Sequence, residues 1–224
     1  SAPSHGATLL TALFPRSYID PNRHEHEIDP EMLGEPWPHP VMASEKAEMG
    51  LGLVRRLIKG NVDIYDRPLR VAEILARIEG FHRPYIMELA RLIEAAHETH
   101  GVAWHVNCHS MRSAGRRRGQ SIPRADIVLG DRDGTSCGAD FTSFVAGVAR
   151  DLGYRVAIND PFKGAELVAR FGRPDDGRHS LQIEINRALY MDEDRIERRA
   201  DFAGFKQDMD RLIGAIADYV RDRE

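Results

Sequence analysis

The chain has 224 residues, 42% of them hydrophobic and 29% charged, which suits a folded protein with a sizeable core. A net charge of −4 gives no electrostatic reason for nucleic acid as a partner, and no stretch is long and apolar enough to span a membrane. The two cysteines, Cys108 and Cys137, do not make a disulfide framework, which fits a reducing, cytoplasmic setting. No signal peptide is visible and the first residue is Ser rather than Met, so residues upstream of Ser1 are expected.

Taken in order, Thr8–Phe14 is nearly continuous in apolar residues and predicts a strand covered on both faces, ending or bending at Pro15. Arg16, Asp20, Asn22 and Arg23 follow closely. Two guanidinium groups and an amide could hold a carboxylate, although Asp-Pro-Asn is also a common turn. Residues 25–40 lack periodicity and predict a long irregular loop. The run HEHE at His24–Glu27 lacks the i, i+4 spacing of helical metal ligands and reads as a solvated loop. Residues 47–59 predict glycine turns with a short apolar element. Residues 69–100 carry two apolar helical stripes separated by Gly80 and Pro84, so two helices or one kinked helix are expected, ending at Gly101.

Ala103–Cys108 predicts a buried strand that delivers His109 and Ser110 to its C-terminal end. That edge is where open α/β sheets bind ligands, and an imidazole there can bind a metal or move a proton. A core histidine satisfied by a backbone carbonyl is the plainer alternative. A loop to Arg124 follows, with the basic run Arg116–Arg118 read as solvated. Next come a strand at Ala125–Leu129 and a turn segment able to place Asp131 or Arg132 beside a site. Phe141–Leu152 predicts a helix stopped by Gly153, and Tyr154–Ile158 a strand whose tip carries Asn159 and Lys163. Leu181–Asn186 alternates apolar and polar residues. If this strand is central, Glu184 is a buried carboxylate beside Gln182, Asn186 and Arg187, and a candidate general base. A closing amphipathic helix runs from Phe202. The order argues for a single-domain, three-layer α/β fold with a mixed, mostly parallel central sheet.

Five segments carry a resemblance: FPRSYIDPNR (Phe14–Arg23), CHSM (Cys108–Met111), DIVLGDRDGTSC (Asp126–Cys137), NDPFKG (Asn159–Gly164) and QIEINRALYMDE (Gln182–Glu193). In this order they resemble the N-formylglutamate amidohydrolase family, which is distantly similar to zinc carboxypeptidases and aspartoacylases. The resemblance implies one amidohydrolase domain over residues 1–224 with the layered carboxypeptidase-like fold. It implies a zinc-dependent hydrolase of a small N-acyl amino acid, foremost N-formyl-L-glutamate. By the same resemblance His109 is a zinc ligand and Glu184 the general base. Asn22 and Arg23 hold the substrate carboxylate, Arg16 joins that pocket or polarises the acyl oxygen, Lys163 and Arg187 hold a second carboxylate, and Asp20 orients a metal-bound histidine. The family's other zinc ligands belong to a PHSG-like segment upstream of D-x-N-R that has no counterpart here, so they are expected before Ser1. Ile86, Asn107 and Phe162 also depart from the family's pattern. The alternatives are a carboxypeptidase or aspartoacylase-like hydrolase, and a non-catalytic binder of acidic amino acids. Oligomeric state is not encoded in any of these features.

Overall fold

Leu181, Ile183 and Ile185 alternate with Gln182, Glu184 and Asn186, a period of two that puts the apolar members on one face of a strand. In the computed structural model, which describes residues 1–58, 62–117 and 120–223, that strand is an inner strand of the largest sheet. The chain divides into two compact units, Leu10–Leu92 and a second made of Ser1–Leu9 with Ile93–Glu224.

In the unit Leu10–Leu92, a one-turn helix α1 (Glu45–Glu48) is capped by the Ser44 hydroxyl, which accepts from Ala47 N. A small antiparallel pair follows, β1 (Leu57–Ile58) with β2 (Val62–Asp63). Helix α2 (Val71–Arg77) runs through one π-type turn (Ile78–His82) into α3 (Arg83–His100), within which the division between units falls. The interruption lies where Gly80 and Pro84 predict it: proline has no N–H to donate, and the widened turn absorbs the break. Ile74 and Ile78 from this run pack with Ile19, Ile28, Met32, Leu53, Val54 and Leu69. The irregular segment 25–40 holds the short 3-10 turn Pro30–Met32 and an isolated bridge from Leu33 to Leu69.

The expected strand at Thr8–Phe14 is not formed. Leu9 is 59% and Leu13 95% exposed, and no ladder pairs with the run among the described residues. An apolar run becomes a strand only when a neighbour takes its backbone groups, and this one has none.

In the other unit, Gly101 closes α3 at φ 74, a left-handed position that favours glycine. Strand β3 (Ala103–Met111) then continues beyond the expected end at Cys108, so His109 and Ser110 lie inside its last turn of pleat rather than after it. The expected loop to Arg124 is instead a hairpin, β4 (Ala114–Arg117) with β5 (Gln120–Pro123). Of the basic run, Arg118 and the side chains of Arg116 and Arg117 lie outside the described residues, as does Lys59. The remaining elements are β6 (Ile127–Gly130), α4 (Ala139–Asp151), β7 (Val156–Ile158), α5 (Glu166–Phe171), β8 (Arg178–Asn186), the pair β9 (Met191–Asp192) with β10 (Glu197–Arg198), and α6 (Phe202–Arg221). The main sheet has the order β3-β8-β6-β7, with β3 parallel to β8, β6 antiparallel to β8 and β7 parallel to β6. It is the mixed, mostly parallel α/β sheet that the element order predicts. Leu181 and Ile183 face a core built with Phe141, Val145 and Ala149 of α4 and Leu212 and Tyr219 of α6.

Candidate active site

Sheet pairing creates the central feature of the larger unit. In the parallel register of β3 and β8, His109 stands directly opposite Glu184. The same alternation puts His105 and Asn107 on their face from β3, and Ser180, Gln182 and Asn186 from β8. Both strands end at the same edge, so His109 and Glu184 occupy the carboxyl-terminal part of the polar face, the place where open sheets receive ligands.

This face is polar, and His105, His109 and Glu184 on it are half-buried. Ser180, Gln182, Asn186 and Asn107 are all buried; the side chains of Ser180, Gln182 and Asn186 are drawn into hydrogen bonds, while Asn107 Nδ2 has no hydrogen-bond partner among the described residues. Gln182 Nε2 donates to Glu184 Oε1 at 3.1 Å while its Oε1 accepts from Ala165 N at 3.1 Å. Asn186 Nδ2 donates to the Ala125 carbonyl and its Oδ1 accepts from Ala188 N. His105 Nδ1 lies 2.8 Å from Ser180 Oγ, and burial together with the charge of His109 pushes its pKa down to about 4. His105 is therefore a neutral member of the face at neutral pH.

The loops at this edge tie up several candidate groups. Asp131 Oδ1 accepts from Gly134 N and from Asn159 Nδ2, which joins the tips of β6 and β7. Lys163 Nζ forms an exposed 2.6 Å ion pair with Asp133. Arg187 Nε donates to Ser110 Oγ at 3.2 Å, and alternation puts Ser110 on the face opposite His109. A cation absent from the expected set is Arg124. Its guanidinium lies 4.9 Å from the Phe162 ring centroid, and Nη1 donates to the Arg112 carbonyl. Burial lowers its pKa, opposed by the charge of Glu184. Arg124 sits at the end of a polar segment with no period, so nothing in its neighbours singles it out; only the pairing of β6 with β8 brings it toward Glu184.

In the unit Leu10–Leu92, Asp20 is the anchor of the D-x-N-R segment. It is 0% exposed and accepts from Arg16 Nε at 3.0 Å, Arg16 Nη2 at 2.7 Å, Arg55 Nη2 at 3.3 Å and Asn22 N at 3.0 Å. Burial raises its pKa, but the Arg16 and Arg55 charges and these hydrogen bonds outweigh it and hold the carboxyl below its usual range. The carboxylate expected to orient a histidine is thus occupied by arginines. Asn22 is buried beside it, and Arg23 Nη1 lies 4.0 Å from Glu27 Oε1. The HEHE turn is not solvated as expected: Glu27 is buried and accepts from Ser44 Oγ at 2.6 Å. Arg55, in the run LVRRLIKG, carries no sequence signal that sets it apart from Arg56.

The model of the N-formylglutamate amidohydrolase family matches residues 1–191. The chain belongs to that family. It is 31% identical over 123 residues to an N-formylglutamate deformylase of Pseudomonas putida, and 32% identical over 131 residues to one of Pseudomonas aeruginosa. Those matches take in 52% and 55% of this chain but 43% and 45% of the relatives, less than half their length. A crystal structure of N-formylglutamate amidohydrolase from Ralstonia eutropha is 45% identical, with a TM-score of 0.92, over 99% of this chain and 80% of that one. A gene product of Agrobacterium tumefaciens, 19% identical with a TM-score of 0.54 over 92% of this chain and 68% of its own, shares the fold.

Set against the residues that the family resemblance singles out, the structure brings His109 and Glu184 together on β3 and β8. Lys163 and Arg187 belong to the same unit, held by Asp133 and Ser110. Arg16, Asn22 and Arg23 belong to the other unit. Catalytic zinc takes three protein ligands. Among the described residues no group of three His, Cys, Asp or Glu side chains is placed to hold a metal ion. His109 is one suitable donor, and the described residues do not complete a zinc site around it.

Proposed function

We propose that this chain hydrolyses the amide bond of an N-acyl amino acid, with N-formyl-L-glutamate as the first substrate to test. The observation that carries the reading is the direct pairing of His109 with Glu184 at the carboxyl edge of β3 and β8. The names borne by the similar proteins support the choice of substrate. In this reading Glu184 takes a proton from the attacking water. The water oxygen bonds to the acyl carbon, the C–N bond breaks, and Glu184 passes the proton to the leaving nitrogen, giving formate and free glutamate. Gln182, donating to Glu184 Oε1, orients the carboxylate for that transfer. Zinc belongs to the proposal through the family resemblance, with His109 as one nitrogen donor; no step is drawn through it. The family's motif gives Asn22 and Arg23 the recognition of the substrate carboxylate.

A panel of formyl, acetyl and peptidyl derivatives of glutamate and aspartate tests the reading. Release of glutamate fastest from the formyl compound is expected. Faster release from acetylaspartate or a peptide would move the chain to the aspartoacylase or carboxypeptidase side. The lack of a three-donor group among the described residues favours one competing reading, a binder of acidic amino acids. Saturable binding of N-formylglutamate by calorimetry with no product, zinc added, would establish that reading instead.

A further inference from the structure

The NDPFKG loop does more than carry a lysine. Its end, Lys163 and Gly164, followed by Ala165, lies against β6 at Gly130, the register partner of Gln182. A Cβ built on Gly130 would stand 2.7 Å from the Lys163 carbonyl carbon and 2.8 Å from Gly164 N. Contacts under about 3 Å are closer than carbon packing permits, so the seat is open only to glycine. Gly164 in turn sits at φ 108, where other residues are strained. The backbone that this seating brings in is the N–H of Ala165, which donates to Gln182 Oε1 at 3.1 Å. A backbone N–H can only donate, so it faces the oxygen of the Gln182 amide and leaves the NH2 group to point elsewhere. That NH2 reaches Glu184 Oε1 at 3.1 Å. Gln182 is 3% exposed, so water does not compete for either end.

We infer that Gln182 is a positioning residue for Glu184, and that the seat of the 163–165 backbone on Gly130 fixes which way its amide faces. The chain of contacts runs Gly130, Ala165 N–H, Gln182, Glu184, and it gives the loop a role independent of the Lys163 ammonium. The inference rests on Glu184 being the base of the proposed hydrolysis.

Two substitutions separate positioning from bulk structure. Gln182→Glu keeps an oxygen for the Ala165 N–H and replaces the donor facing Glu184 with a second oxygen. Gln182→Met keeps the volume and loses both bonds. Positioning predicts that both lower kcat for N-formylglutamate about 10- to 100-fold with KM changed less than about threefold, by analogy with the loss of outer-shell groups that orient metal-ligating side chains. Gly130→Ala is expected to give the same kcat loss without touching Glu184. A Gln182→Glu protein with wild-type kcat overturns the inference, because a purely structural glutamine would be replaced by it without loss. A second readout needs no turnover: the Gln182 side-chain NH2 resonances, assigned by nuclear magnetic resonance, should shift when Glu184→Leu removes the acceptor. Unmoved resonances overturn the inference. An inactive wild type with shifted resonances would discard the hydrolase reading and leave the positioning intact.

Discussion

Asp20 is buried without exposure, and its carboxylate is shared between Arg16 and Arg55. Both arginines are partly exposed and can rehydrate, so Asp20→Asn is expected to cost about 2 kcal/mol, the worth of hydrogen bonds to a charged group. Because the folded pKa of Asp20 is depressed, its contribution is fully present above the unfolded carboxylate value of about 3.9 and is lost as pH falls through the folded value. Urea unfolding at pH 7 and pH 3 checks this: the stability gap between wild type and Asp20→Asn should narrow at the lower pH. An equal gap at both would remove Asp20 from the acid-sensitive part of the fold. The arginines around Asp20 show how a residue can be noticed in sequence while its partners stay hidden. Proximity in FPRSYIDPNR marks Arg16, Asp20 and Asn22, but Arg55 arrives from 35 residues away. His109 and Glu184 are similar. Each is visible at a strand tip, but their pairing belongs to the β3–β8 register across 75 residues and no local period encodes it.

Strands and helices were legible where a face is buried. The α2–π–α3 run, α4 and α6 follow their apolar stripes because each stripe meets a core. The alternation of β8 reads correctly for the same reason. The β4–β5 hairpin was hidden because its residues have no apolar face, with Gln120–Pro123 exposed throughout. The run Thr8–Phe14 failed in the opposite way, apolar but unpaired. Two leucines make the contrast measurable. Leu181→Ala, at 0% exposure between α4 and α6, should cost about 3 kcal/mol through lost transfer and a residual cavity. Leu13→Ala should change stability by less than about 0.5 kcal/mol. Thermal or chemical unfolding of both variants decides it; a large loss at Leu13 would mean that the run is covered.

At the scale of the whole molecule, one unit carries His109 and Glu184 and the other carries the D-x-N-R segment. Family membership follows from the match over residues 1–191, and the sheet order explains why His109 and Glu184 fall at one edge of the sheet. A ligand that binds only the folded chain must stabilise it. N-Formylglutamate at 100 times its Kd should add about 2.7 kcal/mol to the stability of a Glu184→Gln protein that does not turn it over. A thermal shift series over ligand concentration reads this, and an unchanged melting temperature at saturating ligand would mean that the compound does not bind. The most direct test of the central claim is kcat of Glu184→Gln with N-formyl-L-glutamate, followed by formate release. Loss of a general base predicts a fall of about 10²- to 10⁴-fold with the fold intact. Wild-type kcat in that variant would contradict the assignment of Glu184 and with it the account of how this sheet edge works.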